Sequence, residues 1–488
     1  MRRESATGCS PTTASLALLV CFGIAGAAGA TARRIPQDFP GIQAAIDAAA
    51  SGDTVLVSRG TYAGNLVIAA KTITLASNFV TTGDPDDIAL TIIDGGAPIL
   101  TLQATVGAAT TVRGLTFRNG NYQLVNYARR VNILNDRFIN GGGDALSFEG
   151  AGGLVRDCTF DHAGDDGIDS DNASDPTVEN CTFLNCGDDG IELRLHSYTG
   201  PTLEIVFRGN VFTGCKEDGI QLIDYAGASS RTFRIERNVF ANNLMVGLAC
   251  MADGVTTENF AGAPLVEPVQ VIGNTFSGNP YGLTGGDAML VMNNIFTGSA
   301  QVGMKRVAAS SLATYNDFWG NGTAYTTSNV VAGTTLLQDP LLNATCDLQP
   351  GSPCIDAGAA SIVWNGGTVN APPYSGAAPD LGAHETTPAP PVAVPPPGAR
   401  VGLAISAVRP NPARNVFDVV YTLPEAGPAR IELLDLSGRR VLARELSAPG
   451  PGIHVVNLQE ARTLPAGVYL VRLSQGGRSR TTRCIVIR

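Results

Sequence analysis

Phenylalanine recurs at nearly regular intervals through the middle of the sequence, and this repeat restricts the possible folds more than any other feature. Successive members lie 20 to 36 residues apart: Phe117, Phe138, Phe160, Phe183, Phe212, Phe240, Phe276, Phe296 and Phe318. An aliphatic residue follows eight positions after most of them: Leu146, Ile168, Ile191, Ile220, Leu248 and Met304. A fixed period in this range is typical of a solenoid, in which each repeat packs only on its neighbours.

The segments between the turn residues indicate that each repeat consists of strands and turns. They are short, rich in β-branched residues and alternating, as in "PTVENCTF", "FRIERNVF" and "VQVIGNTF". Like residues of successive coils would then stack at the interstrand spacing of about 4.8 Å. We expect Phe on Phe and aliphatic on aliphatic inside. The Asn that often precedes Phe by two residues should form a hydrogen-bonded ladder at a turn, where left-handed backbone is tolerated.

This pattern resembles the right-handed parallel β-helix of the pectate-lyase-like proteins. The resemblance runs from Ile35 to Glu385. It includes the entry segment "FPGIQAAIDAAASGDTVLVSRGTY", whose helix around residues 42–50 would cap the open end of the core. The closing segments "NDFWGN", "LQPGSPCIDAG" and "APDLGAHE" are also similar. The resemblance implies an all-β fold with a right-handed parallel β-helix over residues 31–385.

The chain changes character after a Pro-rich linker at residues 386–400, "TTPAPPVAVPPPGAR". Residues 401–488 alternate apolar and polar with turn signals between, which predicts a small antiparallel β-sandwich. "PNPARNVFDVVYTLP" and "LPAGVYLVRL" resemble the C-terminal sorting domain of proteins exported by the type IX secretion system. This resemblance implies a secreted or cell-surface protein that has the secretion machinery as a partner. A plain accessory sandwich is the alternative.

The beginning of the chain and its composition also predict an exported protein. Arg2 and Arg3 precede the apolar run "ASLALLVCFGIAGAAGA", which predicts a signal peptide at residues 1–30. No other stretch is apolar for long enough to span a bilayer. The net charge of −10 argues against nucleic acid as a partner. We expect a monomer.

The cysteines allow one local disulfide bond. Ten are present, two of them in the predicted signal peptide. Cys346 and Cys354, in "TCDLQPGSPC", are the best local pair for an oxidising compartment. Cys158 and Cys181 stand in matching contexts, "RDCTF" and "ENCTF", where they could stack as small apolar residues.

An acidic phrase is written twice, as "GDDGIDSDN" from Gly164 and "GDDGIELRL" from Gly187. Aligned by their Phe, three consecutive coils bring eight acids to one edge: Asp165, Asp166, Asp169, Asp188, Asp189, Glu192, Glu217 and Asp218. Stacked carboxylates repel unless they are solvated, protonated or bridged by a cation. Oxygen ligands without His or Cys suit Ca²⁺.

We therefore predict a Ca²⁺ site formed by Asp144, Asp165, Asp166, Asp169, Asp188, Asp189 and Glu192. Asp-Gly is also ordinary turn chemistry that a solenoid repeats by construction, so a copied turn or a structural ion is the alternative. Two acids before the glycine, where a turn needs one, favour a site.

Parts of the phrase resemble two enzyme families. The family 9 pectate lyases hold Ca²⁺ with a D-D-G-x-D turn, which implies this role for Asp165, Asp166 and Asp169, with Asp144 from the preceding coil. Their Lys base lies in a G-φ-K strand, and the one such strand here, "VGMKRV", is several coils away. Lys216 and Arg194 are nearer candidates for the catalytic base, chosen by position alone.

The second family is the family 28 polygalacturonases. Their T-D-G-x-D and G-D-D segments, one coil apart, are similar to "GDDGID" and "GDDGIE". A hydrolase of this kind needs a carboxylic acid and a carboxylate base. The family's G-H-G and R-x-K motifs are missing from this sequence, which places hydrolysis below elimination.

Two further side chains, His196 and Tyr225, should point outward four residues past the acidic column and could line a sugar groove. Exposed strand residues are the ordinary alternative. The sequence thus predicts a secreted carbohydrate-active protein, with a Ca²⁺-dependent lyase of acidic polysaccharide as the first hypothesis. A non-catalytic protein that binds an extracellular glycan and a polygalacturonase-like hydrolase are the alternatives.

Overall fold

The structure is a computed structural model that describes residues 30–227, 229–253, 258–386, 402–409, 411–413, 417–446, 450–458 and 464–487. The predicted signal peptide before Ala30 and the linker after Thr386 lie outside these residues. The described residues up to Thr386 belong to one compact unit and those from Gly402 to a second.

The first unit is a solenoid in which the chain adds one strand to each of three parallel sheets per coil. The first sheet contains Ala32–Ile35, Thr54–Val57, Thr74–Ser77, Thr111–Arg113, Val131–Leu134, Gly152–Arg156, Asp175–Glu179, Tyr198–Arg208, Ser229–Glu236, Val269–Ile272, Met289–Met292 and Leu312–Thr314. The second contains Gly60–Ala63, Thr91–Asp94, Thr116–Arg118, Arg137–Ile139, Thr159–Asp161, Thr182–Leu184, Val211–Thr213, Val239–Ala241, Thr275–Ser277, Ile295–Thr297 and Asp317–Trp319. The third contains Leu66–Ile68, Leu100–Leu102, Leu124–Asn126, Leu146–Glu149, Ile168–Asp171, Ile191–Leu195, Ile220–Asp224, Val246–Ala252, Tyr281–Thr284, Val302–Lys305 and Thr323–Thr326.

The phenylalanine ladder runs through the centre of the second sheet, as predicted. From Phe117 to Phe318 each ring stacks on the next, with centroids between 4.7 and 5.1 Å apart. Phe160, Phe183 and Phe212 have no exposed surface. Ring spacing and strand spacing are nearly equal, so the stack fits the backbone repeat without distortion. The aliphatic residues pair in register in the third sheet and fill the same core.

A second ladder is made of buried asparagines: Asn210, Asn238, Asn274, Asn294 and Asn316. The side-chain amide of each of the first four donates to the Oδ1 of the next at 2.9 to 3.0 Å, and that oxygen also accepts a backbone N–H. The left-handed backbone that we expected at these positions belongs instead to the residue before each asparagine, such as Arg237 or Asn293. The asparagine thereby points inward and satisfies buried backbone groups.

Helices and a hairpin cover parts of the solenoid. The predicted cap is the helix Ile42–Ala48, whose Ile42, Ala45 and Ile46 belong to the main core. Two short helices that the sequence analysis did not foresee, Phe79–Thr82 and Pro85–Ala89, follow. A 3-10 turn at Ala332–Thr334 and an antiparallel hairpin, Ser361–Trp364 with Gly367–Asn370, complete the unit.

The predicted disulfide between Cys346 and Cys354 is wrong for this structure, in which both are free and buried thiols. They pack in different apolar clusters, and the Cys354 Sγ lies 3.6 Å from the Asp317 carboxylate. Cys158 and Cys181 are buried, as the stacking alternative expects. Their thiols donate to the carbonyl oxygens of Ile133 and Val155 in the preceding coils.

The second unit has the two antiparallel sheets expected of a small sandwich. One contains Ala404–Arg409, Phe417–Leu423 and Gly452–Leu458, and the other contains Arg440–Leu446, Ala429–Leu434, Gly467–Gln475 and Arg478–Val486. It has its own core, which includes Phe417, Ile431 and Val471.

We predict that Phe183→Ala lowers the free energy of unfolding by about 3–5 kcal/mol, because it leaves a cavity between two stacked rings. Trp319→Ala is the matched control, since this ring is 42% exposed at the edge of the ladder. Its change should stay near 0.5 kcal/mol. Equal losses in the two variants in denaturant titrations would contradict an inward ladder.

We also predict that a protein ending at Thr386 keeps the melting temperature of the solenoid, because each unit has its own core. Export or surface retention in a host with the matching secretion machinery should be lost. Calorimetry of the full-length and shortened proteins tests the first expectation. A lower melting temperature of the solenoid after truncation would show that the units depend on each other.

Candidate active site

The second aspartate of each acidic phrase has a structural task. Asp144, Asp166, Asp189 and Asp218 occupy the same turn position in successive coils, and all are buried. Each Oδ1 accepts the backbone N–H of the next coil, at 3.3 Å from Asp166 N, 2.9 Å from Asp189 N, 2.7 Å from Asp218 N and 2.7 Å from Val246 N. Like the asparagine ladder, this aspartate ladder links successive coils through buried side chains, but its Oδ1 atoms accept from the following coil, whereas each asparagine Oδ1 accepts from the preceding coil. The Oδ2 of Asp218 accepts the Gln221 side-chain amide at 3.3 Å, whereas the Oδ2 of Asp189 is buried without a hydrogen-bond partner among the described residues.

The strand acids align as the spacing predicts. Ser147, Asp169, Glu192 and Gln221 are direct partners across the third sheet. Asp169 and Glu192 are each only 7% exposed. Carboxylate oxygens of Asp166, Asp169 and Glu192 all lie within 4.8 Å of one another. We call these three residues the inner cluster.

Arg194, a candidate base, pairs with these acids. Its Nη1 lies 2.8 Å from Asp169 Oδ1 and 3.6 Å from Asp171 Oδ1, and its Nη2 forms an ion pair with Glu192. Burial opposes the guanidinium charge, but the carboxylates of Glu192 and Asp169 outweigh it and raise the pKa of Arg194. In this arrangement Arg194 acts as a counter-ion.

One guanidinium does not neutralise all the acids around it. Burial raises the pKa of Asp169 to about 8 and that of Glu192 to about 7, although the charge of Arg194 acts in the opposite direction. Burial also raises the pKa of Asp144 to about 6. Without a cation, the inner cluster therefore retains protons near neutral pH.

Two residues of the inner cluster, Asp166 and Asp169, line a cleft of about 490 Å³ on the third sheet. Tyr122 and Tyr127 form part of its lining, 42% and 44% exposed. Neither tyrosine was predicted from the sequence, although Tyr122 stands five residues after Phe117, where later coils carry Asp165 and Asp188. Among the residues that line this cleft, Arg194 is the one with a cationic side chain.

The other predicted residues divide between the cleft and its surroundings. Asp144 and Asp165 line the cleft, whereas Asp188 is half-buried at the neighbouring turn. His196 and Tyr225 lie against each other, with ring centroids 4.3 Å apart, and His196 Nε2 is 3.6 Å from Asp171. Lys216 is exposed outside the cleft, where its charge acts on Asp188. Of the two candidate bases, Arg194 therefore lines the cleft and Lys216 lies outside it.

Comparison with protein-family models identifies both units. A right-handed β-helix region matches residues 101–296, and a secretion system C-terminal sorting domain matches residues 407–488. The chain therefore contains a right-handed parallel β-helix followed by a type IX sorting domain, and it is a secreted or cell-surface protein. In the part of the chain that the structure describes, no helix has the length and apolarity needed to cross a bilayer.

Similar solved structures are distant, and the search of curated proteins found no match. The catalytic unit of a GH87 α-1,3-glucanase from Streptomyces thermodiastaticus is 12% identical, with a TM-score of 0.30 over 61% of this chain and 64% of its own. A family 28 exopolygalacturonase from Yersinia enterocolitica is 13% identical, with a TM-score of 0.28 over 60% and 75%. The tailspike gp49 of Acinetobacter baumannii bacteriophage Fri1, a capsular polysaccharide depolymerase, is 10% identical, with a TM-score of 0.33 over 94% and 78%. This chain thus spans less than two thirds of the glucanase unit, and nothing about its activity follows from these three likenesses.

The raised pKa values predict how stability depends on pH. Asp169 has a pKa of about 8 in the folded protein and about 3.9 when unfolded, so the folded state holds an extra proton between these values. This contribution is complete below pH ~4 and is lost as the pH rises towards 8. In a chelating buffer, Asp169→Asn should stabilise the protein at pH 8 relative to pH 5 by at least about 1 kcal/mol.

Denaturant titrations at several pH values test this expectation. Asp47→Asn, at an exposed position of the capping helix, is the control and should follow the wild-type profile. A profile of Asp169→Asn that runs parallel to the wild type would show that this carboxyl group does not titrate abnormally.

Proposed function

We propose that this exported β-helix protein binds an acidic extracellular polysaccharide in the cleft, with Ca²⁺ held by the inner cluster. The observation that carries the proposal is the inner cluster itself. Asp166, Asp169 and Glu192 are all more than nine-tenths buried, come from adjacent coils and place oxygens within 4.8 Å of one another. Two exposed tyrosines line the same cleft as Asp166 and Asp169.

The donor set fits Ca²⁺ on its own chemistry. Ca²⁺ takes about 6–8 oxygen ligands in flexible geometries, and the inner cluster offers carboxylates without nitrogen or sulfur donors. Asp144 lines the same cleft and can add an oxygen. A bound Ca²⁺ supplies a positive charge that binds a sugar carboxylate and favours loss of the adjacent proton.

The protein's own residues account for recognition of a glycan. Tyr122 and Tyr127 present flat, amphipathic rings to the cleft, which suits the apolar face of a pyranose ring and its hydroxyl groups. Asp165 and Glu149 can accept hydrogen bonds from hydroxyl groups along the same wall. Arg194 adds a positive charge for an anionic sugar.

Eliminative cleavage is the second candidate, favoured by the position of Arg194. A lyase needs a base within about 2.6–3.2 Å of the proton that it removes. Arg194 lines the cleft, while Lys216 does not. The carboxylates that hold Arg194 are the ones that would ligate the cation. With these carboxylates engaged by Ca²⁺, Arg194 would lose part of the negative charge that raises its pKa and would be available to a substrate.

A screen of uronate polysaccharides, with Ca²⁺ or with chelator, tests the function. Ca²⁺-dependent retention of one polymer supports binding. Unsaturated, UV-absorbing ends identify a lyase, whereas new reducing ends without UV absorbance identify a hydrolase in which a protonated carboxyl such as Asp169 donates the proton. Failure to bind any acidic polymer would overturn the proposal.

Calorimetry with Ca²⁺ tests the inner cluster separately. We expect Glu192→Gln to weaken Ca²⁺ binding there at least tenfold, because the substitution removes a charged ligand and keeps the shape. Arg194→Ala should strengthen binding about tenfold, or by about 1.4 kcal/mol, because it removes the cation that competes for Asp169 and Glu192.

Glu204→Gln, an exposed position on the first sheet, is the control. Weaker binding in Arg194→Ala would mean that Arg194 positions the ligands and does not compete with the ion.

A further inference from the structure

We propose a second divalent-cation site in the neighbouring turn, formed by Asp188, Asp189 and Glu217. Ligand oxygens of these three residues lie within 4.8 Å of one another. Asp188 and Asp189 were part of the single Ca²⁺ site predicted from the sequence; together with Glu217 they form a separate site here, which goes beyond the function proposed above because none of its residues belongs to the inner cluster. We call it the turn cluster.

The backbone fixes the turn cluster across two coils. Asp188 and Asp189 follow Phe183 by five and six residues, and Glu217 follows Phe212 by five. The Glu217 N–H donates to the carbonyl oxygen of Asp188 at 3.1 Å, and the Asp218 N–H donates to Asp189 Oδ1 at 2.7 Å. The three carboxylates are therefore held together by the stacking of the turns.

A buried oxygen without a hydrogen-bond partner supports a cation at the turn cluster. Asp189 is 1% exposed, and its Oδ2 is buried without a hydrogen-bond partner among the described residues. Its other oxygen already accepts the Asp218 N–H. A buried carboxylate oxygen left without a partner is costly, and a cation would satisfy it.

The turn cluster also differs from the inner cluster in its counter-ions. Arg194 pairs with Asp169 and Glu192, but no described ion pair involves Asp188, Asp189 or Glu217. The nearest cationic residue in sequence, Lys216, is exposed. The turn cluster thus lacks an internal cation.

A further acid increases the demand for positive charge. Glu258 is 4% exposed and also has a buried Oε2 without a partner among the described residues. Its charge acts on Glu217 and Asp218. Oxygen-only donors, two of them half-exposed and open to water, suit a hard divalent ion such as Ca²⁺.

Calorimetry with Ca²⁺ on the full chain tests this site, with paired substitutions that preserve shape. Wild type should bind two equivalents, and Glu217→Gln should bind one, with at least a tenfold loss of affinity at the turn cluster. Glu192→Gln should also retain one, since it removes the inner cluster alone. Glu204→Gln should retain both.

The outcomes separate the two proposals. One equivalent in wild type that survives Glu217→Gln and disappears in Glu192→Gln would overturn the turn cluster and leave the proposed function intact. One equivalent lost in Glu217→Gln and retained in Glu192→Gln would do the reverse. No binding at all would overturn both. Asp188→Asn repeats the test on a second ligand, and matching metal-free melting curves show that each variant folds.

Discussion

Stacking of the same side chain at the same position in successive coils is the interaction on which the solenoid depends. Rings 4.7 to 5.1 Å apart match the distance between neighbouring strands, so packing of the core and backbone pairing reinforce each other. The buried asparagines apply the same rule to polar groups, because each amide is both donor and acceptor along the stack. The conformation of every coil is therefore stabilised by the stacking of its side chains on those of the neighbouring coils.

The same rule produces the electrostatics of the third sheet. A stack of phenylalanines or asparagines is favourable, whereas a stack of carboxylates brings like charges together. Asp166 and Asp189 each use one oxygen to accept a backbone N–H of the next coil, and burial together with neighbouring carboxylates raises the pKa of both groups well above the usual range. The structure compensates some of that charge with Arg194 and some with protons. The negative charge that remains on this face favours the binding of cations.

The sequence predicted the coil register, the inward phenylalanines and the alignment of Asp169 with Glu192, because a fixed spacing along a solenoid translates directly into pairing. It did not predict which aspartate oxygens accept hydrogen bonds from backbone N–H groups, since that depends on turn geometry. The ion pairs of Arg194 could not be predicted from the sequence. They depend on a side-chain rotamer that brings the guanidinium to Glu192 on its own strand and to Asp169 on the preceding one. Tyr122 and Tyr127 were not predicted because their coil departs from the common spacing. The aliphatic residue Leu124 follows Phe117 by seven positions, whereas the spacing in most later coils is eight. The spacing of Cys346 and Cys354 carried no information on the different apolar clusters that separate their thiols.

In the aspartate ladder every carboxylate accepts a hydrogen bond from the following coil, and this single direction allows the face that carries the cleft to change in length. Each carboxylate reaches forward to the backbone of the following coil, from Asp144 through to Val246, so a whole coil can be duplicated without breaking the pattern. Each added coil would lengthen the face by about 4.8 Å, comparable to the length of one sugar ring. The distance between the tyrosines and the acids would then increase by about the length of one sugar ring for each added coil. Duplication of coils offers a route by which related proteins could match polymers of different repeat length.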